Sequence, residues 1–174
     1  MLRRLAMIAA AVFTAAPVFA LDMPARKPGL WEIKMEFVGR KLPAHVVKQC
    51  IDAASDKVMN SQFGGSVQEA CSKQDMQKSS GSITIDSVCK FGDATTTSHA
   101  VVTGNFDSAY TVHITSTREG GRPLPGMAPS GATEMTVAAK WLGPCAADQK
   151  PGDMIMPNGV KVNVLEMPGT PKKP

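Results

Sequence analysis

The sequence predicts a mainly β protein, an antiparallel meander forming a curved sheet or partly closed barrel with one short helix and two disulfides. Three observations predict it. Trp31, Ile33, Met35 and Phe37 alternate with Glu32, Lys34 and Glu36, a period of two that sends one face to a core and the other to water. Turn residues recur after Cys71 at the spacing of about 8–12 residues typical of short-stranded β folds. Cys50, Cys71, Cys89 and Cys145 form an even set with no C-x-x-C, a pattern of structural bridges rather than of a metal knuckle or redox motif. One-sided alternation argues against a parallel α/β fold, whose strands are buried on both faces.

The elements follow in order. Residues 1–20 read as a secretory leader: Arg3 and Arg4 precede an apolar stretch interrupted by Thr14 and Pro17, and Val18-Phe19-Ala20 suits cleavage after Ala20. That stretch is shorter than the ~20 residues that span a bilayer, so a periplasmic location is expected, with no integral membrane segment after cleavage. Residues 30–38 form the strongest strand. A turn at 40–43 leads to a second strand at 45–51, and residues 53–62 have the composition of a short helix, capped by Asp52 and ended by Gly64-Gly65.

Strands are then expected at residues 72–78, 83–91, 94–103, 109–118 and 133–142, with a long Gly/Pro loop at 121–131 before the last. In that last strand Met135, Val137, Ala139 and Trp141 alternate with Glu134, Thr136, Ala138 and Lys140. Trp31, Met35, Phe37, Met135 and Trp141 are the expected apolar core or pocket. The domain organisation reads as a leader (1–20), one disulfide-stapled β domain (21–145) and a Pro/Gly-rich extension (146–174).

A three-residue turn over Ser79-Ser80-Gly81 sets Lys78 opposite Ser82 and Cys71 opposite Cys89, leaving Cys50 for Cys145. The same register puts Lys73, Asp75 and Gln77 on the face of Ile83 and Ile85. Either that strand is an exposed edge or a bulge shifts its register.

The segment Pro28-Gly29-Leu30-Trp31-Glu32-Ile33, the strand end Gln49-Cys50-Ile51 before an Asp/Ala/Ser-rich helix, the middle cysteines and Gly143-Pro144-Cys145 resemble the domain-of-unknown-function family DUF3617. The likeness runs from about Lys27 to Cys145. It implies an exported bacterial protein with Met- and Gly-rich loops, and it carries over no catalytic residues.

Composition excludes more than it assigns. The chain carries 19 basic and 15 acidic residues; loss of Arg3 and Arg4 with the leader would leave a net charge of +2, and no basic stripe interleaved with aromatics suggests nucleic acid. No G-x-S-x-G occurs, and His45, His99 and His113 have no acidic residue close in sequence to orient them. A non-enzymatic binding protein without cofactor is therefore expected, its partner an apolar small molecule or an envelope protein, the latter engaged through a sheet edge. The alternative is copper handling: a hairpin turn within 104–108 would set His99 opposite His113, and Met127 could add a thioether.

Overall fold

Alternation from Trp31 to Phe37 builds an inner strand of the sheet. The computed structural model describes residues 23–122 and 131–167, without the side chains of residues 61–69. The strands are β1 (Gly29–Phe37), β2 (His45–Ile51), β3 (Cys71–Ser79), β4 (Ser82–Phe91), β5 (Ala94–Asn105), β6 (Ala109–Gly120), β7 (Gly131–Gly143), β8 (Asp153–Ile155) and β9 (Lys161–Asn163). They make one antiparallel sheet in the order β3-β4-β5-β6-β7-β1-β2-β8-β9. β3 and β9 form its two edges, so the sheet is open rather than closed into a barrel.

The helix α1 (Ala53–Ala70) is longer than its sequence suggests, because Gly64-Gly65 do not stop it. Its start is fixed by a capping box: the Asp52 carboxylate accepts from the Ser55 N–H at 2.8 Å, and Ser55 Oγ accepts from the Asp52 N–H at 2.9 Å. Its length has a topological reason. β2 and β3 lie six neighbours apart in the sheet, about 29 Å at ordinary strand spacing, and 18 helical residues reach ~27 Å. With Asp52 the sole residue between β2 and the helix, and none before β3, the helix itself makes the crossing.

Both expected disulfides are formed, Cys50–Cys145 and Cys71–Cys89. The turn that suggested the second differs in detail. Ser79 pairs with Ser82 across Ser80-Gly81, which moves the register by one and brings Gln74, Met76 and Lys78 to the face of Ile83 and Ile85 in place of Lys73, Asp75 and Gln77. A bulge between Cys71 and Lys73 then returns Cys71 to its place opposite Cys89. Both proposed remedies therefore occur, since β3 is also an edge.

The segment after Cys145 does more than extend the chain. β8 pairs with β2 and β9 with β8, and Val164, in a 3-10 turn over Val164–Glu166, joins the core beside Trp31, Ile33, Val47, Ile51, Met59 and Ala139. Gly29 sits where the core is tightest: a Cβ there would collide with the Gly143 carbonyl and lie 2.6 Å from Trp141 Nε1, so only glycine fits.

Candidate functional site

One face of the sheet carries both the core and the apolar surface beyond it. Register places Trp31, Ile33, Met35 and Phe37 against Trp141, Ala139, Val137 and Met135, and continues through Tyr110, Val112 and Ile114 of β6. Burial along this face is uneven. At the β1–β2 end Trp31 is 0 % exposed and Val47 4 %.

That end is closed by charge as well as by packing. Arg26 donates from Nε to Asp56 Oδ1 at 2.7 Å, from its main-chain N to Asp56 Oδ2 at 2.9 Å and from Nη1 to Gln49 Oε1 at 2.9 Å. Its guanidinium carbon lies 6.0 Å from the Trp31 ring centroid. Asp56 is 1 % exposed and Arg26 8 %, so each charge survives burial because the other, and the surrounding hydrogen bonds, satisfy it. Burial pushes the Tyr110 phenol above its ordinary value in spite of the nearby Arg26 charge. The next two residues tighten the seal. Lys27 O accepts from Trp31 Nε1 at 2.8 Å, Pro28 O from Trp141 Nε1 at 3.1 Å, and Lys27 Nζ stands 3.8 Å over the Trp141 ring. This bolt was missed in the sequence because Arg26 and Asp56 lie in segments with no strand periodicity. Ser55-Asp56 beside a capping residue was the available signal.

Toward the other end of the strands the face opens. Met76, Ile85, Ala100, Ile114, Met135 and Phe37 fall in register across β3, β4, β5, β6, β7 and β1, and all six are half-buried. In the adjoining row Val112, Val137 and Met35 are also half-buried, whereas Ile83 and Val102 are buried. Of the expected core or pocket residues, Trp31 is therefore core, Met35 and Trp141 flank it, and Phe37 and Met135 belong to the open row.

The histidines do not face one another. A three-residue turn pairs Asn105 with Ala109, fixed by Asn105 Oδ1 accepting from the Asp107 N–H at 2.6 Å. His99 consequently pairs with Thr115, and His113 with Val101. The rings have separate partners: His99 Nδ1 lies 2.7 Å from Asp86 Oδ1, and His113 Nδ1 lies 3.3 Å from Thr136 Oγ1. Asp86, the acid that sequence distance hid, comes from the neighbouring strand. Among the described residues no three His, Cys, Asp or Glu side chains gather as a metal site, and Met127 lies outside the described residues, as does the leader.

Two surface hollows lie elsewhere. One of about 340 Å³ is walled by Asp148, Lys150, Asp153, Lys161 and Glu166, and one of about 380 Å³ on the wet face lies over Thr103, Thr111, Ala138 and Lys140. The first is lined largely by groups already in ion pairs, and the second mixes threonines and alanines with Glu32, Lys34, Lys140 and Tyr110.

No curated protein and no solved structure matches the chain. A family model does, and its limits are those of the frame just described, from the Arg26 bolt to the Cys145 bridge: it matches residues 26–145, and the chain belongs to that family, described as protein of unknown function (DUF3617).

Proposed function

We propose that this protein is an exported, periplasmic, non-enzymatic binding protein that holds an apolar small molecule on the half-buried rows of its sheet. The observation that carries the reading is the row Met76, Ile85, Ala100, Ile114, Met135 and Phe37, which places six apolar side chains in register with none of them fully buried. A contiguous apolar surface of this kind is the ordinary lining of a ligand site. Curvature of the sheet beneath the crossing helix would make a trough of it, and the two disulfides suit an oxidising compartment.

Docking of an envelope partner on a sheet edge has less support. β3 is charged by Lys73, Asp75 and Lys78 and bulged at its start, while β9 has three residues; both are ordinary defences against strand addition.

Native mass spectrometry of protein purified from periplasm tests the reading. A retained small molecule is expected, and it should be lost in Ile114→Glu while Lys140→Glu on the opposite face retains it. Protein that emerges bare and gives no saturable binding of an apolar fluorophore would overturn the proposal.

A further inference from the structure

Beyond the apolar row the same face changes chemistry twice. The next row across the strands is Ser87, Ser98, Ser116 and Thr133. The row after that sets Arg118 between Thr96 and Gly131. Arg118 is half-buried, and its Nη1 is shielded from solvent without a hydrogen-bond partner among the described residues. Main chain packs against the other arm of the fork: a Cβ on Gly121, where φ is +74°, would come within 2.8 Å of both Arg118 Nη2 and Ala94 Cβ. Asp75, Asp86, Glu119 and Glu134 all alternate to the opposite face, so these rows offer Arg118 no carboxylate among the described residues. A second guanidinium stands at the far end of the hydroxyl row, where Arg40 Nη2 donates to Thr133 Oγ1 at 3.2 Å.

A shielded guanidinium N–H with no acceptor is a group that an anionic ligand would satisfy. We infer that the ligand is a long-chain carboxylate whose head meets Arg118 and whose alkyl chain runs down the face from Ser116 past Ile114 and Met135 toward Val112 and Val137. The inference rests on the binding reading above and names its ligand class. Geometry sets the length: Ile114 and Arg118 are four residues apart on one strand, ~13 Å, so a short acid held at Arg118 leaves the apolar rows uncovered. Chemistry sets the head, because the planar fork of arginine matches a carboxylate in two parallel hydrogen bonds, and the serine hydroxyls donate to the same anion.

Competition against a bound apolar fluorophore, with the delipidated full chain and with palmitate, hexadecanol and butyrate as probes, tests this. Palmitate is expected to displace the fluorophore at least about tenfold more strongly than hexadecanol, the ratio of a charge-assisted hydrogen bond to none, and butyrate not at all. Arg118→Gln should bring palmitate down to the level of hexadecanol without moving hexadecanol itself. If Arg118→Gln fails to fold, Arg118→Lys, which keeps the charge and loses the fork, should give a severalfold loss for palmitate alone. Equal binding of acid and alcohol, or a preference for the acid that persists in these variants, would overturn the head-group assignment and leave the apolar site standing. Failure of the fluorophore and of every long-chain probe to bind would instead overturn the binding reading itself.

Discussion

Two arginines on one face of the sheet are treated oppositely. Arg26, at the closed end, spends its donors on Asp56 and Gln49 and lies against Trp31; Arg118, at the other end, has an Nη1 with no hydrogen-bond partner among the described residues. A side chain with a partner at each guanidinium nitrogen, Met59 Sδ taking Nη2, is part of the frame. One with a shielded donor unmatched is held by the frame for something else. The apolar residues divide along the middle of the face, where Trp31, Ile33 and Val47 are core and Ile85, Ile114 and Met135 are half-buried, while Cys89 and Ala94 beside Arg118 are buried again.

The contrast breaks most sharply at the ion pair. Asp56→Ala leaves a buried guanidinium uncompensated and is expected to cost about 3–5 kcal/mol, whereas Arg118→Ala should cost less than about 1 kcal/mol. Urea melts of the two variants measure the difference. Equal losses would mean that Arg118 is as structural as Arg26.

A smaller effect separates the two halves of the apolar face. Ile33→Ala removes a fully packed side chain and is expected to destabilise by about 2–5 kcal/mol. Ile114→Ala, half-buried, should fall well short of that, at about 1 kcal/mol for the lesser apolar area it takes from water, while weakening any bound apolar probe. Thermal melts with and without ligand check both, and a larger loss at Ile114 than at Ile33 would show the open row to be core.

Much of this frame was legible because it obeys short-range rules. Period two and the spacing of turn residues located seven of the strands, Asp52 announced the helix start, and the cysteines paired as expected. What escaped depends on the distance between strands. The helix end could not be read from Gly64-Gly65, since the need to cross from β2 to β3 outweighs a propensity cost of ~1 kcal/mol per glycine. The pairing of His99 and His113 failed by two positions because the Asn105 side chain fixes where the turn begins. Arg26–Asp56, Asp86–His99 and the row leading to Arg118 join residues that only the tertiary fold brings together. Likewise the extension looked loose because Asp153–Ile155 and Lys161–Asn163 are too short to show a period.

The smallest expected effect concerns how that extension is fastened. Asp153 is 4 % exposed; its carboxylate accepts from the Lys150 N–H at 3.0 Å and the Asn163 amide at 2.8 Å, with Lys161 Nζ 3.9 Å away. Burial alone would raise its pKa, but these hydrogen bonds and the Lys161 and Lys150 charges outweigh it and hold the carboxyl below its ordinary value. Folding therefore favours the ionised form. The stability this contributes is complete above the unfolded-state pKa of about 3.9 and is lost as pH falls through the lower folded-state value. Hydrogen exchange at descending pH should show β8 and β9 losing protection in acid before β1, β6 and β7, whose ladders hold no such carboxylate. Asp153→Asn keeps most of the shape and removes the titration, so it should flatten the acid dependence of that segment at a cost of about 1 kcal/mol or less near neutrality. The Asp52 carboxyl, lowered first by the Ser55 N–H that it caps, provides the control, because its protonation loosens the start of α1 and leaves the exchange of β9 unchanged. Simultaneous loss of protection across the sheet and the extension would show instead that the segment after Cys145 shares one cooperative unit with the closed end.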